Sequence, residues 1–184
     1  MAHSPIRNSL IDIANNNAGD PMGFLEGLSD THVDWHGEIV RTYGFLLFHH
    51  RVVRYFKAIV NNQIQQPVVA FTASEFEAMG MQEYADIDPV TVDELGALVA
   101  FSLSLETWHN AAHSVIGNAT GVPMLDARQN IFFRPFWQLH LYVDGLFQIV
   151  LGRYENRWHP NQFVDVSAVA GHIEVSHHGW VPSI

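Results

Sequence analysis

Apolar residues recur at helical spacing in three stretches of the chain, separated by segments with no clear period. The first stretch is "DTHVDWHGEIVRTYGFLLFHHRVVRYFKAIVNN", where Val40, Tyr43, Leu47, Val53, Phe56 and Val60 mark a helical face. Asp30 or Thr31 can cap its start, and Gly37 and Gly44 are weak points at which it can break into two helices. The second, "TVDELGALVAFSLSLETWHNAAH", opens with Thr91 and Glu94 at capping-box spacing. Leu95, Leu98, Val99, Ser102, Leu105 and Glu106 mark its face, and Gly117 is a reasonable stop. The third, "PFWQLHLYVDGLFQIVLGRYENRW", begins with Pro135, which suits a first helical turn. Residues 61–89 read as a connector with one short helix, and "VPMLDARQN" as a loop. The last residues, "HPNQFVDVSAVAGHIEVSHHGWVPSI", carry little helical signal beyond a candidate short strand at "GHIEVS". The expected architecture is mainly α: a four-helix bundle core with an irregular C-terminal segment.

Composition narrows the class. The 184 residues fit a single domain over 1–184. With 48% apolar residues the chain can bury a sizeable core. Nine basic against 19 acidic side chains give a formal charge of -10, so no basic footprint for nucleic acid or an anionic membrane is present. There is no cysteine, which excludes disulfides, thiolate metal sites and cysteine nucleophiles. The N-terminal residues lack an apolar signal-peptide core and no apolar run is long enough to span a bilayer, so a soluble cytoplasmic protein is expected.

Histidine is the outlier, with twelve copies. His109 and His113 stand four apart on the second helical stretch and therefore share one face. Two imidazoles so placed can hold one metal, and His140, among apolar neighbours on the next stretch, is the candidate third donor. Asp144, one turn later, can accept the other ring proton of a ligating histidine. The ordinary alternatives are a chance H-x-x-x-H in a histidine-rich chain and a hydrogen-bonded core histidine. The first block repeats the arrangement: His32 and His36 are four apart, and His49 and His50 follow. Two tri-histidine sets on two helix pairs would place two metals face to face. The alternatives here are a helix-surface His49–His50 pair and a solvated cap at His32.

These residues resemble a family. "LETWHNAAHSVIGN" followed by "FRPFWQLHLYVDGLF" is similar to the second copper motif of the tyrosinase, catechol oxidase and molluscan-haemocyanin type of coupled binuclear copper proteins. The matching positions are His109, Asn110, His113, Gly117, Pro135, Phe136, His140 and Asp144. "FLLFHHRVVRYF" resembles the first-site motif, with His50-Arg51 as its H-R pair, and "WHGEI" its H-G; the resemblance covers about residues 30 to 155. The chain departs from the pattern at Arg134, at Leu139, at Gly145-Leu146-Phe147 and in the long gap from His36 to His50. The resemblance implies two copper ions held by His32, His36, His50, His109, His113 and His140, with dioxygen as co-substrate. The implied reaction is ortho-hydroxylation of phenols or oxidation of catechols and o-aminophenols. It also implies that Asn110 orients a water that deprotonates the phenol and that Glu106 holds that water; otherwise Glu106 is an exposed helix carboxylate. The expected partners are a small phenolic substrate and a copper-delivery protein.

Three rival classes stand beside this reading: an oxygen carrier, a protein with a single zinc or iron at His109, His113 and His140, and a degenerate homologue that only binds. The first-site trio carries a geometric condition. On one straight helix His36 and His50 would stand about 21 Å apart, so the chain must reverse between them, most simply near Gly44. Adjacent helical residues point about 100° apart, so only one of His49 and His50 can face a metal; His50 is the expected one.

Overall fold

In the computed structural model, the described residues are 68–154 together with Glu26, Ser29, Asp30, His32, Val33, Phe45, Leu46, His49, His50, Val52 and Val53. They are mainly helical, with no strand among them. Three helices follow in order: α1 (Ala73–Ala78), α2 (Leu95–Thr120) and α3 (Arg134–Tyr154). Short 3-10 turns, Pro89–Thr91 and Asn130–Phe132, precede α2 and α3. The described residues between Glu26 and Val33 and between Phe45 and Val53 also have helical backbone. His36, Gly44 and the "GHIEVS" segment lie outside the described residues, as does the C-terminal stretch expected to be irregular. No helix among the described residues is long and apolar enough to cross a membrane.

The connector's short helix is α1, and it holds the capping box that sequence spacing assigned to Thr91 and Glu94. The Thr72 side chain accepts from the Glu75 N–H, and the Glu75 carboxylate accepts from the Thr72 N–H. At Thr91 a different local structure wins. Asp88 caps the Val90 N–H, Pro89 starts a 3-10 turn, and the Thr91 hydroxyl donates to the Asp88 carbonyl. Helix α2 then begins at Leu95 without a side-chain cap.

Helix α2 passes through Gly117 and ends at Gly121, whose φ of 70° is the left-handed conformation that favours glycine at a helix end. Gly117 serves another purpose. A Cβ there would come within 3.2 Å of the Val122 carbonyl oxygen and 3.3 Å of the Met124 Cβ. Its absence lets the α2–α3 loop fold back tightly along the last turn of the helix.

The buried apolar positions form a stripe on α2, made of Leu98, Phe101, Leu105, Ala112 and Ile116, and a broader one on α3, made of Phe136, Trp137, Leu139, Leu141, Val143, Phe147 and Val150. His109 and His113 continue the first stripe, and His140 and Asp144 the second. Behind the pair, Phe76 of α1 packs edge-on against Trp108 and Tyr142 at ring distances of 5.3 and 5.0 Å. The histidines therefore project into the seam between α2 and α3, among residues that would otherwise be hydrophobic core.

Candidate metal centre

Five imidazoles meet in that seam. His49 and His140 are fully buried, and His32, His109 and His113 nearly so. Their nitrogens form two groups of three, His109–His113–His140 and His32–His49–His140, with the donor atoms of each group within 4.8 Å of one another. His140 belongs to both. The rings of His32 and His49 lie 6.0 Å apart although 17 positions separate them in the chain. One straight helix would hold them roughly 26 Å apart, so they do not share one.

Oxygen atoms orient all five rings. His113 donates from Nδ1 to the Met124 carbonyl at 2.6 Å, His140 to the Phe136 carbonyl at 2.6 Å and His49 to the Phe45 carbonyl at 2.8 Å. His32 donates to the Ala127 carbonyl at 3.3 Å, and His109 to Oδ1 of Asn110 at 3.2 Å. A carbonyl oxygen only accepts, so the ring proton sits on Nδ1 in each case. In a neutral imidazole Nε2 then carries the lone pair. His109 Nε2 lies 2.9 Å from His113 Nε2 and 3.0 Å from His140 Nε2.

Lone pairs turned toward one another at such distances repel unless a positive charge lies between them. A proton is one candidate, but burial opposes it. Desolvation holds the His140 imidazole well below its ordinary range, and the neighbouring His49, His109, His113 and His32 push it further down. A metal ion is the other. Imidazole nitrogens bind zinc at about 2.0–2.1 Å, which puts two tetrahedral donors roughly 3.4 Å apart. The observed separations are slightly shorter, so a small outward movement seats an ion. A ligating histidine characteristically donates its second N–H to a carbonyl or carboxylate, and every ring here donates to an oxygen. The donor set thus fits a metal that accepts imidazole, copper and zinc among them.

An apolar wall covers one side of the cluster. Phe136 lies on His140 at a ring distance of 3.9 Å, and Phe45 contacts His49 at 4.5 Å and His109 at 5.0 Å. On the open side, a cavity of about 220 Å³ is lined by His32, His109, Asn110, His113, Met124, Leu125, Ala127 and Asn130.

Several residues stand differently from the sequence expectation. His50 is in neither group: its Nδ1 lies 2.5 Å from Asp144 Oδ1, and His49 faces the other histidines instead. Asp144, expected to hold the ring proton of a ligating histidine, instead holds His50, which is in neither group, with Gln148 on its other oxygen at 2.5 Å. The Phe136 carbonyl orients His140. Asn110 lines the cavity as expected of a substrate-side residue, but its carbonyl oxygen is engaged by His109. Glu106 is buried rather than exposed, one turn before Asn110 on α2 and not in the cavity wall. Sequence reasoning placed the α2–α3 loop but missed its part in the site. Its carbonyls at Met124 and Ala127 orient His113 and His32, and its Arg128 carbonyl accepts from Ser29 at 2.7 Å. No side-chain pattern marks a backbone acceptor. No protein-family model, curated protein or solved structure matches this chain.

The depressed His140 sets a pH dependence for the metal-free chain. The unfolded chain takes up a proton on this residue near the ordinary histidine value of 6.5, while the native state refuses it. Stability is therefore unaffected by this group above that pH and falls as pH drops below it, by up to about 1.4 kcal/mol per pH unit. Denaturant midpoints of the metal-free protein at pH 7.5 and 5.5 should show the decline. A midpoint that rises on acidification would contradict a neutral His140.

Proposed function

We propose that the chain is a binuclear copper protein of the tyrosinase-like kind that uses dioxygen to oxidise phenols or catechols. The observation that carries the reading is the convergence of five buried imidazoles, each with its far nitrogen held by an oxygen acceptor. His109, His113 and His140 are the ligands of one ion. His32 and His49 are ligands of the second, together with His36, which lies outside the described residues. The helical residues around Ser29–Val33 and Phe45–Val53 would complete a four-helix bundle with α2 and α3. Bound copper supplies the electron transfer to dioxygen, and the protein supplies geometry and exclusion of water. Phe136 keeps the His140 imidazole desolvated and neutral, and Phe45 packs on His49 and His109. Asn110, on the cavity wall, is the residue for holding a water against an incoming phenol; Glu106 supports it from the preceding turn.

The competing reading is a single ion at His109, His113 and His140, favoured by the membership of His140 in both groups. Elemental analysis after copper loading separates the two. Two coppers per chain, and a new absorption on exposing the reduced protein to oxygen, are expected. One metal per chain supports the competing reading, and none defeats both.

A further inference from the structure

The cavity beside the imidazoles has a neighbour. Two of its wall residues, Met124 and Leu125, also bound a second cavity of about 280 Å³. One side of the second is helix α2, through Ser114, Gly117, Asn118 and Gly121; the other is the loop from Val122 to Leu125. Steps of three and four residues keep those α2 positions on one flank of the helix. Asn110, in the wall of the first cavity, stands one turn before Ser114 on the same flank. Asn110, Ser114 and Asn118 therefore make a row of uncharged hydrogen-bonding side chains that passes from one cavity to the other. At the helical rise per residue this row is about 12 Å long. Asn110 and Asn118 are exposed, so a molecule in solvent can reach both amides. The facing edge is apolar: Leu125, common to both cavities, leaves 74% of its surface exposed. No carboxylate, lysine or arginine lines either cavity.

We propose that the two cavities are one substrate groove, with the aromatic ring against the imidazoles and a neutral, amide-bearing tail along Ser114 and Asn118. The preferred substrate is then a phenol with an uncharged amide tail, in place of a bare phenol or one with an ionised tail. The first cavity, about 220 Å³, is below the roughly 300–1,000 Å³ typical of drug-sized sites and suits a single ring. A substituent on that ring has to leave the first cavity, and the second offers the adjoining space past Leu125. The asparagine amide and the serine hydroxyl each donate and accept, which matches the N–H and C=O of an amide. An ammonium or carboxylate on the tail would lose water against Met124 and Leu125 and gain no opposite charge in return. The choice of a phenolic ring rests on the copper-centre reading; the choice of tail rests on the second cavity and the α2 row alone. Ser114 and Asn118 are specificity residues in this assignment, acting on the tail and not on the reacting ring.

Three probes with the same ring and linker test this. N-acetyltyramine carries the neutral amide, tyramine an ammonium and 4-ethylphenol no polar tail. Binding is measured by calorimetry on the full chain loaded with zinc, which occupies imidazole sites without redox turnover, and on the metal-free chain. Wild type should bind N-acetyltyramine about tenfold more tightly than either other probe. Asn118→Leu, a change at an exposed helix position, should remove most of the preference over 4-ethylphenol, with zinc content unchanged. Leu125→Ser should weaken N-acetyltyramine and 4-ethylphenol alike, by about fivefold, because both cavities share that side chain. In wild-type protein labelled at asparagine nitrogen, the Asn118 side-chain amide signal should move with N-acetyltyramine and not with 4-ethylphenol, a readout that needs no variant to fold. Equal binding of those two probes to wild type, a preference that survives in a folded Asn118→Leu chain, or an Asn118 signal that ignores N-acetyltyramine overturns the proposal. Zinc content reports separately on the metal centre. A chain that takes no metal yet selects the amide tail through Asn118 would defeat the copper reading and leave this one standing.

Discussion

A His140→Ala chain is expected to lose the ion held with His109 and His113 and to loosen the second, and to be the most damaging single histidine replacement in the cluster. His140 is the only residue common to the two donor groups. Its Nε2 is 3.0 Å from that of His109, and its ring stacks on His49 at 4.6 Å. Without it, one group is reduced to His109 and His113, and the His32–His49 group loses the ring that stacks on His49. Two imidazoles hold an ion poorly in competition with water or a chelator. Loss of an outer-shell partner alone typically weakens a site 10–100-fold, so loss of this ligand should exceed about 100-fold. His113→Ala, by contrast, touches one group only and should cost about one ion. The fold should survive both changes. The deleted ring leaves space, but a desolvated imidazole is removed with it, and Phe136, Val143 and Phe147 still fill the α3 stripe. Metal content by elemental analysis, with competition by a chromophoric chelator, checks this. Equal retention of metal in the two variants would mean that His140 is not shared.

The second large effect separates neighbours. His49→Ala should lose about one metal and keep its fold, whereas His50→Ala should keep its metal and lose stability. The His49 ring contacts His109 and His140 at 5.2 and 4.6 Å. The His50 ring turns to Asp144 and lies edge-on to Phe147 at 5.6 Å. Removing His50 takes one partner from a carboxylate whose side chain is fully buried, while Gln148 remains. The expected loss is about 1–3 kcal/mol, the usual cost of leaving a buried polar group short of a partner. Thermal unfolding and metal analysis on the same samples give both quantities. Loss of metal from a folded His50→Ala chain would restore His50 as the ligand.

The difference between these two histidines also shows where sequence reasoning stops. His109, His113 and His140 were readable because their spacing fits a helix face and the apolar stripe around them sets the phase of that face. Around His49 the phase is ambiguous. Phe45, Leu46, Val52 and Val53 are all buried, so apolar positions stand on both sides of the pair, and the adjacent Arg51 draws the assignment to His50. The capping signals show a related limit. Thr72-x-x-Glu75 and Thr91-x-x-Glu94 are equivalent as patterns, and only the Asp88–Pro89 turn, which occupies Thr91, decides between them. Glu106 stands on the marked face by spacing, while its charge equally suits an exposed carboxylate; the structure buries it. The orienting carbonyls of Met124 and Ala127 have no signature at all, because every residue carries one.

Those carbonyls have a consequence for how the molecule comes together. The loop joins the Met124 oxygen to a histidine 11 positions away, but the Ala127 and Arg128 oxygens to His32 and Ser29 at separations of 95 and 99. The nearby pairing can form as soon as α2 and its loop exist, whereas the distant ones wait on closure of a very long segment, which is slow to find. A folding chain therefore offers a fragment of the centre first and the whole centre last. Tight retention of an ion becomes a mark of completed topology, set by the same loop that orients the rings.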